Sequence, residues 1–230
     1  MCWYVRIGAV DIEANIREVQ GRIAQACERS RRSTDEITLV AVTKGFEVPV
    51  IRTAFNSGIR DFGENRVQEA EGKIAQLTDL KPAVTWHMVG HLQSNKAKIA
   101  AGLFDIIHSV DSVRLAEILN RRVERPFPVL LEVNVSGEVT KGGFSVGETE
   151  AAVKAIKQLP NLKVLGLMAV APFVADPEEV RPVFRKLREL RDSLGLQHLS
   201  MGMTDDFEVA VEEGATMLRI GRAIFGERRQ

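Results

Sequence analysis

The chain has no net charge: 31 lysines and arginines are matched by 31 aspartates and glutamates over 230 residues. A nucleic-acid binder normally carries a basic excess to neutralise phosphates, so the balance argues against that class of partner. Cysteine is scarce. Cys2 and Cys27 are too few for a four-ligand zinc site or a disulfide scaffold, and the expectation is reduced thiols in a cytoplasmic protein. No apolar run approaches the roughly 20 residues that span a bilayer, so no membrane partner is expected. The amino terminus, MCWYVRIGAVDIEANI, lacks the basic stretch and sustained apolar core of a signal peptide, which also argues against lipidation of Cys2. Low-complexity segments and close internal repeats are missing too.

What is present is ordinary globular chemistry, 45% hydrophobic and 27% charged, in a length that suits one barrel of about 200–250 residues. Apolar runs rich in Val, Ile and Leu recur at residues 36–44, 59–64, 85–91, 104–110, 128–135, 162–170, 198–203 and 216–226. Amphipathic segments separate most of them. The first has Pro49 in its opening turn, buries Val50, Ile51, Ala54 and Phe55, and can end at Gly58. Asn65 and Gln68 form an approximate capping box for the second, whose stripe is Ala70, Ile74 and Leu77. Asp111 or Ser112 starts another helix, Asp176-Pro177 a further one ending at Gly195, and Thr204 or Asp205 one ending at Gly214. An extra helix over residues 11–29 precedes the series, and the last helix is a stub. Eight strand–helix units without a composition break predict a closed parallel (β/α)8 barrel forming a single domain over 1–230; an open two-lobed sheet is the alternative.

In such a barrel the chemistry gathers at the carboxyl ends of the strands. That selects Lys44, then Glu64 and Asn65, then His91, Gln93, Ser94 and Asn95, then Asn134 and Ser136, and finally Ser200, Arg219, Gly221 and Arg222. Lys44 follows the uncharged LVAVT. A lysine at the barrel mouth, desolvated and neutral, is the nucleophile that a Schiff base requires, whereas an ordinary strand-end lysine would snorkel to water. SMGMTDD (200–206) with RIGRAIFG (219–226) offers a phosphate cradle after strands seven and eight, with Ser200 as hydroxyl, Gly221 allowing close approach and Arg222 supplying an N–H or a charge; an ordinary turn is the plainer reading. No metal site is expected. His87 and His91 are four apart, but on an extended strand that spacing separates their Cα atoms by about 13 Å. His108 and His198 read as satisfied core residues.

AVTKG (41–45), FGENRVQEA (62–70), WHMVGHLQSNK (86–96), SMGMTDD and RIGRAIFG resemble the signature blocks of the YggS/PROSC family of pyridoxal 5′-phosphate (PLP) homeostasis proteins. The blocks follow in the family's order across residues 41–226. The resemblance implies an alanine-racemase-like barrel of fold-type III without a second domain. It also implies that Lys44 binds PLP covalently as an aldimine, with Asn65 near the ring, Arg219 facing the pyridine nitrogen, and Ser200, Gly221 and Arg222 at the phosphate. The family often carries threonine at the position of Arg222, so the resemblance implies no hydroxyl contact there.

Two features bear on whether such a protein turns substrate over. A racemase needs a base on each face of its substrate, and the lone tyrosine, Tyr4, precedes the barrel while the chain stops at Gln230 just after the eighth strand. An arginine at the pyridine nitrogen disfavours ring protonation, which makes the ring a poorer electron sink. The expected function is therefore a non-catalytic, monomeric, cytoplasmic PLP carrier, with PLP-dependent apoenzymes as candidate partners. A PLP-dependent amino-acid racemase with an unusual second base is the first alternative. A barrel enzyme that attacks a phosphorylated sugar through a lysine Schiff base, without PLP, is the second.

Overall fold

The computed structural model describes residues 10–138 and 140–227; Cys2, Tyr4 and Gln230 lie outside them. Asp11 caps the first helix by accepting from the Ala14 N–H, and α1 (Ile12–Ser30) ends at Arg31 in the left-handed conformation. Its buried stripe of Ile16, Val19, Ile23 and Ala26 follows helical spacing and lies against the carboxyl-terminal helices.

Eight of the strands close a ring: β1 (Thr38–Val42), β2 (Asp61–Glu64), β3 (Thr85–Met88), β4 (Ile106–Val110), β5 (Phe127–Asn134), β7 (Leu162–Met168), β8 (His198–Ser200) and β9 (Met217–Ile220). Neighbours pair in parallel, β9 pairs with β1, and the β4–β5 pairing joins the remaining edges, so the described residues form the expected eight-stranded parallel barrel. A two-residue strand, β6 (Phe144–Ser145), pairs outside the ring with β5 and was not expected.

The helices α2 (Val48–Asn56), α3 (Val67–Ala75), α4 (Ala97–Leu103), α5 (Val113–Asn120), α6 (Val146–Ile156), α7 (Arg181–Ser193), α8 (Phe207–Glu212) and α9 (Arg222–Phe225) occupy the connections. One large apolar core fills the space between strands and helices. Two smaller clusters, Val40–Val42–Val89 and Ile106–Leu130–Met168–Met217, are separate from it and carry strand residues of opposite facing.

Three sequence expectations need correction. Asn65 and Gln68 do not form a capping box, because Arg66 occupies the cap position of α3 and makes no side-chain cap bond. Asp176 does cap a start, but of a 3-10 turn, Pro177–Val180; Pro182 then opens α7. Asp206, not Thr204 or Asp205, stands at the start of α8, and its carboxylate accepts from the Met203 N–H instead of capping the helix.

Candidate functional site

Most of the apolar runs outlast their strands. β1 ends at Val42, and Thr43-Lys44-Gly45 turn away over the barrel mouth with Gly45 at φ 75°. β8 ends at Ser200 and β9 at Ile220. The residues just beyond these ends line a cavity of about 450 Å3 at the carboxyl ends of the strands. Lys44 and Phe46 reach it after β1, Asn65 after β2, Val89 after β3, and Val170 after β7. Met203, Thr204 and Asp205 follow β8, while Arg219 comes from β9 itself and Gly221 and Arg222 from just past it.

The turn that carries Lys44 is held on both sides. Lys73, from α3, is nearly buried, and its ammonium donates to the Thr43 carbonyl at 2.7 Å, to Glu64 at 2.8 Å and to Glu69 at 2.6 Å. The Thr43 hydroxyl donates to Glu64 at 2.6 Å, and the Gly45 N–H donates to Glu69 at 2.5 Å. Lys73 thus holds the backbone just before Lys44 and Glu69 the backbone just after it, while Glu64 holds the Thr43 side chain. Burial pushes the fully buried Glu64 above the ordinary carboxylate range, against the pull of Lys73 and Thr43.

Arg219 is the electrostatic centre of the cavity. It is buried, and its guanidinium donates to the Ser200 carbonyl at 2.7 Å, the Ser200 hydroxyl at 2.6 Å and the Ala169 carbonyl at 2.8 Å. These are neutral acceptors. Asp206 and Glu132 act on it only at a distance, and burial lowers its pKa to about 10, so it remains cationic at neutral pH. Three of its five N–H groups are engaged in these bonds.

Of the six residues that the resemblance puts at the cofactor, five line this cavity: Lys44, Asn65, Arg219, Gly221 and Arg222. Ser200 does not. Its hydroxyl is fully buried behind Arg219, bonded to that arginine and to His108 at 2.8 Å, so the expected contact with a phosphate is not what its position offers. Thr204, four residues further on, carries its hydroxyl past the strand end into the cavity, where it accepts from the Ala223 N–H at 3.4 Å. Thr204 entered the sequence reading only as a helix cap; its place in the block after a strand was the available signal. Gly221 packs closely against the end of β1, where a Cβ would lie 3.2 Å from the Val42 carbonyl oxygen. Arg222 pairs with Asp205 and lies 3.5 Å from Glu227.

The other candidates fall elsewhere. Glu64 supports the Lys44 turn from below. His91 and Gln93 face a neighbouring cleft shared with Asn65, Arg66 and Lys96. Ser94 and Asn95 lie in a further recess beside Asp111. Asn134 organises the turn before β6 by donating to the carbonyls of Glu138 and Lys141, with Ser136 bonded to it.

The alanine racemase N-terminal domain family matches residues 12–229. A pyridoxal phosphate homeostasis protein of Aquifex aeolicus is 46% identical over 223 residues, which span 93% of this chain and 97% of that protein. Among solved structures, PipY of Synechococcus elongatus PCC7942 is 37% identical, with 94% of this chain and 100% of PipY covered; the TM-score is 0.83 to the form without PLP and 0.81 to the form with PLP bound. The alanine racemase of Corynebacterium glutamicum is 18% identical with a TM-score of 0.71, and 62% of that enzyme is covered, a likeness of fold alone. On the family match and on the identity along nearly the whole chain, this protein belongs to the pyridoxal phosphate homeostasis proteins, a branch of the alanine racemase N-terminal domain family.

Proposed function

We propose that the cavity binds PLP and that the protein serves in PLP homeostasis as a carrier rather than a catalyst. The observation that carries this reading is the meeting of Lys44 with a buried Arg219 that, among the described residues, has no carboxylate in contact, in one cavity of about 450 Å3. Both groups fit the cofactor. An arginine with N–H groups to spare suits an unprotonated pyridine nitrogen, and a primary amine suits an aldehyde. Thr204, the backbone at Gly221 and the cation of Arg222 form the end that suits a phosphate, and Arg222 can exchange Asp205 for it.

When bound, PLP supplies an aldehyde that condenses with a primary amine and a ring that can withdraw electrons. In this chain Lys44 is the amine for a covalent link, Asn65 flanks the ring, and Arg219 keeps a positive charge at the ring nitrogen. That last feature opposes ring protonation and argues against efficient amino-acid turnover. PLP-dependent apoenzymes are the proposed recipients, and a cytoplasmic monomer is the proposed form.

The test begins with colour. Protein mixed with PLP should turn yellow, and borohydride should bleach it while fixing the mass of PLP on Lys44. Lys44→Ala should lose the fixed adduct and keep weak reversible binding. The same fixed mass in Lys44→Ala would refute the assignment, and turnover of an amino acid by the yellow protein would refute the carrier role. Faster transfer of PLP to an apoenzyme than its release into buffer would establish delivery.

A further inference from the structure

A continuous row of buried side chains crosses the barrel interior behind the cavity. Arg219 donates to the Ser200 hydroxyl at 2.6 Å, Ser200 meets His108 Nδ1 at 2.8 Å, His108 Nε2 meets His87 Nδ1 at 2.9 Å, and His87 Nε2 meets Asp61 at 2.9 Å. Ser200, His108 and His87 are buried. Asp61 opens β2 at the amino-terminal end of the strands, and its side chain is 27% exposed.

The ends of this row dictate its direction. A guanidinium has only donors and an ionised carboxylate has only acceptors. Asp61 therefore requires the proton of His87 on Nε2, which leaves Nδ1 to accept from His108. His108 then carries its own proton on Nε2, and its bare Nδ1 accepts from the Ser200 hydroxyl. Ser200 in turn offers a lone pair to Arg219. Both imidazoles and the Ser200 hydroxyl are satisfied in this one arrangement; the opposite tautomers would strand the Ser200 proton between two donors. None of these groups is among the buried atoms lacking a partner, which in the described residues belong to Glu64, Trp86 and Glu213.

We propose that Asp61, His87, His108 and Ser200 are positioning residues: a one-way hydrogen-bond chain, anchored at Asp61, that turns the Arg219 guanidinium so that its remaining N–H groups face the cavity. The proposal rests on the PLP reading for what Arg219 meets there, and on the row of distances for everything else. Burial, with His87 and Arg219 nearby, holds His108 well below its ordinary pKa, in keeping with a neutral ring as acceptor.

Two measurements test it. In the protein without PLP, long-range 1H–15N correlation of the imidazoles at pH 7.5 should show His87 and His108 each protonated on Nε2 alone. A proton on Nδ1 of His108 would overturn the chain, whatever the fate of PLP binding. In PLP titrations, Ser200→Ala should weaken binding by about tenfold and shift the visible absorption band. Asp61→Ala, at the partly exposed end, should shift the band in the same direction. Asp61→Asn, whose amide oxygen still accepts, should match the parent protein. An unmoved band and unchanged affinity in both Ser200→Ala and Asp61→Ala would sink the positioning role. Failure of the parent protein to take up PLP would instead count against the PLP reading, with the tautomers still deciding the chain.

Discussion

Lys73 shows how much a single side chain can do from outside the cavity. Among the described residues, its ammonium and the Thr43 hydroxyl are the hydrogen-bond partners of the Glu64 carboxylate, and it also holds the carbonyl one residue before Lys44. Removing it leaves a carboxylate stranded in the interior, the costly half of a broken ion pair. Lys73→Met should therefore cost about 3–5 kcal/mol of stability by urea denaturation, and it should lower the fraction of Lys44 that borohydride fixes to PLP. Adding Glu64→Gln to that variant should recover part of the loss, because it removes the stranded charge; no recovery would mean that the ion pair is not the cause. The pair Glu69–Lys73 is visible in the sequence as an i,i+4 helix pair, ordinarily worth a few tenths of a kcal/mol. Burial and the third contact, to the turn after β1 30 residues away, make it something else, and neither is visible in the sequence.

Among the elements, the loops after the strands are held by backbone approach as well as by side chains. Gly90, in the WHMVGHLQSNK block after β3, passes so close to the preceding loop that a Cβ would lie 2.4 Å from the Asn65 carbonyl oxygen. Backbone cannot yield as a side-chain tip can. Gly90→Ala should push Asn65 out of the cavity wall, lowering both the melting temperature and the affinity for PLP; a variant that matches the parent in both would show the loops to be more compliant than their packing suggests. The same crowding explains the failed capping box. Asn65 is committed to the cavity and to Gly90, so α3 starts one residue later at Val67, while Glu69 is drawn to Gly45 and Lys73. Strand and helix order was legible because a two-sided buried strand reads as a continuous apolar run and its covering helix as a stripe. Strand ends were not. Val89, Val170, Met201 and Met203 continue the apolar runs beyond β3, β7 and β8, yet three of them line the cavity instead of extending the sheet.

For the whole molecule, the buried histidine couples folding to pH. His108 is held well below its ordinary value of 6.5, so below that pH the unfolded chain binds a proton that the folded chain refuses. A depressed value means stability present above 6.5 and lost as pH falls, at a slope approaching about 1.4 kcal/mol per pH unit from this one group. The raised carboxyls of Glu64, Glu132 and Asp206 act in the opposite sense as they take up protons in the fold. The comparison that isolates His108 is with His108→Gln: between pH 6 and 5 its stability should fall less steeply than that of the parent, by about that slope. Parallel curves would mean that His108 is protonated in the fold. No helix among the described residues is long and apolar enough to cross a membrane.

Periodicity alone sufficed for the alternation of buried strands and amphipathic helices; strand-end position named Lys44, Asn65, Arg219, Gly221 and Arg222 within a longer set, and the family resemblance narrowed that set to the cofactor. The alternation and the strand-end set follow from local rules, namely the repeat of the element and the side of the barrel on which its loops emerge. What only the tertiary structure decided was depth and partnership. Ser200 sits one layer beneath the cavity and Thr204 within it; Arg219 is bonded to Ser200 and Ala169 and, among the described residues, touches no carboxylate; and His87 and His108 join Asp61 to Ser200. Those relations depend on how eight tilted strands stagger around a closed ring, a register set by packing across the whole sheet and written in no single segment.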